Sequence, residues 1–230
     1  MNPASMPDER EPPPAASPLM PALAVEFGLT DGLMVRGQSW GEGSDWALLV
    51  HEPGGDLDGW GDLPGWLLDA GFAVMAIDLP GHGLSDGSWQ PSRLAEVLGA
   101  ARRTITAAGG QRVALIAAGE CASTGLRLAA TERWAALILL SPVDAGTVTD
   151  PTIRAGNQPK LIIVGSLAEE SLAASRAIAA RCIGWTVTCS IPTVAQGTAL
   201  LAGDWSRTVR EHIAGFLRDC RRPAPRAPRP

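Results

Sequence analysis

Gly119-Glu120-Cys121-Ala122-Ser123 follows the apolar run Val113 to Ala118 and precedes the helix-like stretch Thr124 to Ala130. A cysteine therefore stands where a strand-to-helix turn would hold a nucleophile. Such an elbow lifts one side chain above a sheet, and small neighbours let strand and helix approach closely. A thiol there gains reactivity when the helix N-terminus behind it lowers its pKa and a base takes its proton. An ionised Glu120 beside it would act the other way. The alternative for Cys121 is a small buried residue in place of a serine. In Ser190 to Leu201, after the last strand-like run, Gln196 fills the slot where a histidine is expected. An amide cannot accept and return a proton near pH 7. No histidine lies between His82 and His212. His212, spaced among Val209, Ile213 and Phe216, reads as a helix residue. That leaves His51 and His82 as replacement bases, with the bracing of loops as the structural alternative for each.

No competing cofactor chemistry is legible. Cys121, Cys182, Cys189 and Cys220 have no CxxC spacing and too few nearby histidines for zinc. Gly54-Gly55 is followed by neither GKT nor GxGxxG, so no nucleotide site is expected. The reading is a site with no metal and no cofactor. Trp60, Trp66 and Trp89 either line an apolar pocket near its mouth or fill core.

Apolar runs of strand length alternate with helical stretches: Trp46 to His51, Pro64 to Ala70, Ala73 to Asp78, Pro91 to Ala108, Val113 to Ala118, Cys121 to Thr131, Ala135 to Leu140, Leu161 to Val164, Ser171 to Cys182, Thr186 to Cys189 and Asp204 to Leu217. This alternation predicts βαβ units and a parallel sheet covered on both faces. Val25 to Leu29 and Gly32 to Gly37, joined by Thr30-Asp31, predict a leading hairpin of two antiparallel edge strands. The fold class is α/β, a mostly parallel eight-stranded doubly wound sheet. Its chemistry should sit at the carboxyl ends of the strands, after Val50, Ile77, Ala118, Leu140, Val164 and Cys189.

From about residue 25 to residue 219 the chain resembles the α/β-hydrolase superfamily, in its uncapped, dienelactone-hydrolase and lysophospholipase-like branches. Gly71 to Gly87, with Asp78-Leu-Pro-Gly-His82-Gly-Leu-Ser85, is similar to the strand-four motif DxxGHGxS. Leu48 to Gly55 resembles the strand and loop that carry half of the oxyanion hole. Gly119 to Ser123 resembles GxSxG with cysteine for serine, as in the dienelactone-hydrolase branch. The resemblance implies Cys121 as nucleophile and the amides of Glu52 and Ala122 as oxyanion hole, with His51, Trp60 and Ser123 as binding residues. The usual acid corresponds to Ala168, which leaves Glu169 or Asp144 for that role. About 20 residues separate Leu140 from Leu161, too few for a helical cap domain.

The chain has 230 residues, 46% hydrophobic and 19% charged, with a formal charge of −5. That length can bury one sizeable core. Its acidic body lacks the electrostatic footprint of a nucleic-acid or anionic-membrane binder. Residues 1–22, rich in proline and alanine, and the Arg/Pro tract 220–230 are expected to be disordered, flanking a domain over 23–219. The tail is a solvated end or a docking segment for a protein partner. No apolar leader and no run of membrane-spanning length occur, and the cysteines suit reduced thiols in a cytoplasm.

Two functional readings follow. In the first, the triad has degenerated at Cys121, Ala168 and Gln196, leaving an inactive hydrolase homologue that binds a small acyl or apolar ligand or regulates a partner. In the second, Cys121 is the nucleophile of an active hydrolase of a small ester, thioester or lactone.

Overall fold

The computed structural model describes residues 21–143, Arg154 and 156–221. The apolar runs form β1 (Leu23–Gly28), β2 (Met34–Trp40), β3 (Asp45–Val50), β4 (Ala73–Ile77), β5 (Arg112–Ala118), β6 (Leu137–Leu140), β7 (Lys160–Gly165) and β8 (Thr186–Ile191). They join one sheet in the order β1-β2-β4-β3-β5-β6-β7-β8. β2 runs antiparallel to both β1 and β4, and every pair from β4 to β8 is parallel. The chain steps outward from β3 to β4 and then returns across β3 to β5. The loops after β3 and β5 therefore meet at the switch point where doubly wound sheets place their sites.

Among the described residues, the sheet is covered by α1 (Leu63–Asp69), α2 (Leu94–Ala107), α3 (Gly119–Leu128), α4 (Glu169–Arg181) and α5 (Ser206–Arg221). Alternation along each strand sorts the side chains into two layers. Leu48, Val50, Met75, Ile77, Leu115, Leu137 and Leu139 pack with Leu98, Ile105, Leu126 and Ile178 of α2, α3 and α4. Ala47, Leu49, Val74, Ile116, Ile138 and Ile163 pack with Leu63, Leu67, Val209, Ile213 and Leu217 of α1 and α5. Burial on both faces is why these strands read as continuous apolar runs. Truncating a fully buried member such as Leu48 to alanine should cost about 2–5 kcal/mol.

The hairpin differs from expectation in two ways. Its loop spans residues 29–33, closed by Leu29 N–H donating to Leu33 O at 2.8 Å and by Leu33 N–H donating to Asp31 Oδ1 at 3.2 Å. Of its two strands only β1 lies at a sheet edge, because β2 pairs with β4 on its other side. At the other end, α5 continues through Cys220 and Arg221, into the tract expected as tail. There the Arg221 guanidinium donates to Ala70 O and Gly71 O at 3.2 Å, lies 3.3 Å from Asp45 Oδ2 and covers the Phe72 ring at 5.3 Å. Asp144 and the rest of 144–153 lie outside the described residues, as do 1–20 and the tract beyond Arg221.

Candidate functional site

The turn after β5 is centred two residues earlier than the sequence suggested. Ala118 is still extended, and Gly119, the first residue of α3, takes φ +54. A left-handed φ costs an L-residue about 1–2 kcal/mol but costs glycine almost nothing, so the sharpest point of the turn is a glycine. Cys121 lies in the first turn of α3 and is 1% exposed. Burial pushes its thiol well above the ordinary range, and the carboxylates of Glu120 and Glu52 push it further. The oxyanion assignment to Ala122 changes with the turn. Ala122 is the first residue of α3 whose N–H has an acceptor within the helix, the Ala118 carbonyl, and the amide that follows the turn residue is that of Glu120.

Glu52, in the loop after β3, fills the space in front of this turn. A Cβ added to Gly119 would lie 2.8 Å from Glu52 Cβ. The Glu52 carboxylate crosses to the loop after β8, where Oε1 accepts from Thr198 N–H at 3.1 Å and from the Thr198 hydroxyl at 2.9 Å. A Cβ on Gly197, which has φ +56, would meet that same Oε1 at 2.5 Å. Two glycines thus leave room for one carboxylate that bridges the β3 and β8 loops. Gln196 is turned toward α4, its Oε1 accepting from the buried Ser171 hydroxyl at 2.5 Å. Glu169 is an exposed first residue of α4. Asp144, the other candidate acid, falls outside the described residues.

Both histidines of the sheet region brace loops. Leu79 N–H donates to His51 Nε2 at 3.0 Å, so the proton sits on Nδ1, which donates to Glu52 O at 2.7 Å. His51 is fully buried, and burial lowers its pKa, with His82 adding to the effect. His82 repeats the device in reverse: Nε2 accepts from Gly54 N–H at 2.8 Å and Nδ1 lies 3.2 Å from Pro80 O. The rings meet edge-on with centroids 5.3 Å apart. Asp78 completes the lock, accepting from Leu57 N–H at 2.9 Å and Leu84 N–H at 3.0 Å. The strand-four motif therefore serves to tie the β3 and β4 loops together.

Of the expected binding residues, His51 and Trp60 are fully buried and Ser123 is 2% exposed. The Ser123 hydroxyl donates to Val143 O, and Trp60 packs into the α1–α5 side of the core. Trp66 and Trp89 are half-buried.

No protein-family model matches the chain. Solved structures do match its fold. An esterase of Pyrococcus furiosus superposes with a TM-score of 0.71 at 15% identity, over 91% of this chain and 99% of its own. The enol-lactonase of Burkholderia xenovorans LB400 gives 0.68 at 15% identity, over 84% of this chain and 99% of its own. The monoacylglycerol lipase of Paleococcus ferrophilus gives 0.64 at 16% identity, over 87% and 100%. This chain has the α/β-hydrolase fold. Among curated proteins, the dihydrolipoyllysine-residue acetyltransferase component of the acetoin cleaving system of Cupriavidus necator is 34% identical over 127 residues, 54% of this chain. The chain spans about a third, 34%, of that relative's length.

In the α/β-hydrolase fold the nucleophile elbow is the turn at the end of this strand, which here is Gly119. In that frame Ala117 and Cys121 are the two flanking small residues. Sequence reasoning centred the motif on the one residue with nucleophilic chemistry. The signal that could have corrected it is the end of the apolar run at Ala118, directly before a glycine. The roles of the Glu52 side chain and Thr198 had no such local signal. Among the described residues no cluster of His, Cys, Asp and Glu could hold a metal ion, and no helix is long and apolar enough to cross a membrane.

Proposed function

We propose that this α/β-hydrolase-fold chain is a non-hydrolytic homologue with a degenerate triad, kept as a binding or regulatory module for a small acyl or apolar ligand. The observation that carries this reading is Gly119 at the elbow, walled by Glu52. Acyl transfer needs a nucleophile at that turn and a base within hydrogen-bond reach of it. Cys121 is buried with its thiol proton held, Gln196 is engaged by Ser171, and both ring nitrogens of His51 and His82 face loop backbone. An apolar ligand is supported by Leu84, Leu167 and Val194, 75%, 62% and 68% exposed in the loops after β4, β7 and β8 at the sheet's carboxyl end. The acetyltransferase name of the Cupriavidus relative supports an acyl group. A reducing, cytoplasmic setting accords with the free thiols of Cys121, Cys182, Cys189 and Cys220.

The test is hydrolysis of p-nitrophenyl esters and acyl thioesters by the wild type and by Cys121→Ala, with intact-mass detection of an acyl adduct. The expected result is no adduct, and at most slow turnover unchanged by the substitution, since an oxyanion site and binding alone leave roughly 10³-fold catalysis over water. Turnover and an adduct that both vanish in Cys121→Ala would overturn the proposal and establish a cysteine hydrolase. Titration of the same acyl thioesters and their free acids then measures binding.

A further inference from the structure

The two ends of the sheet are finished differently. β1 carries a charge, Glu26, whose carboxylate lies 3.6 Å from Arg36 on β2, the usual protection of an edge against pairing with another chain. β8 has no such guard. Among the described residues it pairs only with β7, through Lys160↔Thr186 to Gly165↔Ile191, and no strand lies on its other side. Its residues Thr-Val-Thr-Cys-Ser-Ile include no charge, and from Cys182 to Gly203 the chain has no charged residue at all, in a protein that is 19% charged. Ile183, Trp185 and Val187 are 40%, 45% and 36% exposed on and beside this strand, and Thr188 and Ser190 are exposed with them.

We propose that β8 is a docking edge whose occupant is a second copy of this chain, paired antiparallel through β8 across a two-fold axis. Identical strands across such an axis are self-complementary, and an uncharged strand meets no like-charge repulsion from its copy. The flanking helices add charge complementarity. A two-fold axis perpendicular to the sheet sets α4 beside α4 of the second copy in antiparallel sense. α4 packs against β7, and the two β7 strands are then three strand spacings apart, roughly 14 Å, within reach of long side chains. Glu169 and Glu170 open α4, and Arg176 and Arg181 lie toward its exposed far end. The acidic start of each helix thus faces the basic end of the other.

The test is sedimentation of the full chain at a series of concentrations. The wild type should run at twice its 24.0 kDa mass. Thr188→Lys and Thr188→Glu, each at an exposed position in the middle of the strand, should halve that mass with the circular dichroism unchanged. An equimolar mixture of the two variants should regain the dimer, because each lysine then faces a glutamate. A wild type that is monomeric throughout, or a dimer that survives both substitutions, overturns the proposal. Variants that separate the dimer but do not recombine with each other would also overturn it, by placing Thr188 away from a shared axis.

Discussion

Gly119→Ser is the most informative substitution, because it restores a hydroxyl to the elbow and isolates what excludes it. Two costs add. A serine held at φ +54 carries the left-handed penalty of about 1–2 kcal/mol. Its Cβ would stand 2.8 Å from Glu52 Cβ, an overpacked contact of the kind that costs about 1–3 kcal/mol. The loss should therefore total about 2–5 kcal/mol. In a domain of this size each kcal/mol moves Tm by about 2–4 °C. The contact is with Cβ rather than the carboxylate, so the two truncations of Glu52 should behave differently. Glu52→Gly removes the clashing atom, and in a double-mutant cycle with Gly119→Ser it should show a favourable coupling of about 1–3 kcal/mol, the steric share alone. Glu52→Ala keeps the atom and should show little coupling, although both truncations lose the bonds to Thr198. Urea unfolding of the single and double variants measures every corner of both cycles. A Gly119→Ser protein as stable as wild type, or equal rescue by alanine and glycine at position 52, would refute the assignment of Glu52 Cβ as the wall of the elbow. Restoring the hydroxyl should not create an esterase in any of these backgrounds, since no base is placed beside it.

Three further outcomes are expected. Under native conditions Cys121 should be the slowest of the four thiols to react with a disulfide reagent, its labelling tracking unfolding in urea, as read by peptide mass spectrometry; rapid native labelling of Cys121 would contradict its 1% exposure and raised thiol pKa. Burial holds the folded pKa of His51 below the ordinary imidazole value of 6.5, so its contribution is fully present above about pH 6.5 and is lost as pH falls below it, because the unfolded chain takes up a proton that the buried ring refuses. Urea midpoints across that range should show this slope in wild type and a shallower one in His51→Gln. Lys160 is fully buried, and its Nζ donates to Gly156 O at 2.6 Å, Gln158 O at 2.8 Å and Ile183 O at 3.1 Å. Lys160→Met strands three carbonyls and should destabilise by about 3 kcal/mol or more, with chemical denaturation as the measure.

Much of the architecture was legible in residue order alone. Parallel strands covered on both faces must be apolar throughout, so β3 to β7 announce themselves as uninterrupted runs, and α5 as a helix with one apolar stripe. The motif Asp78 to Ser85 marks its loop because glycines 81 and 83 and the small Ser85 are needed for close backbone contacts, a requirement written into residue type. What residue order left open was decided by partners far away in sequence. β2 became an interior strand because β4 pairs with it. The elbow settled on Gly119 rather than Cys121 because Glu52, 67 positions earlier, fills the space a side chain would need. That glutamate is held in turn by Thr198, 146 positions later. Small residues at 117, 118, 119, 121 and 122 permit the turn in more than one frame, and local spacing cannot choose among them. Steric exclusion between the ends of β3, β5 and β8 chooses, and it exists only once the sheet has brought those ends together.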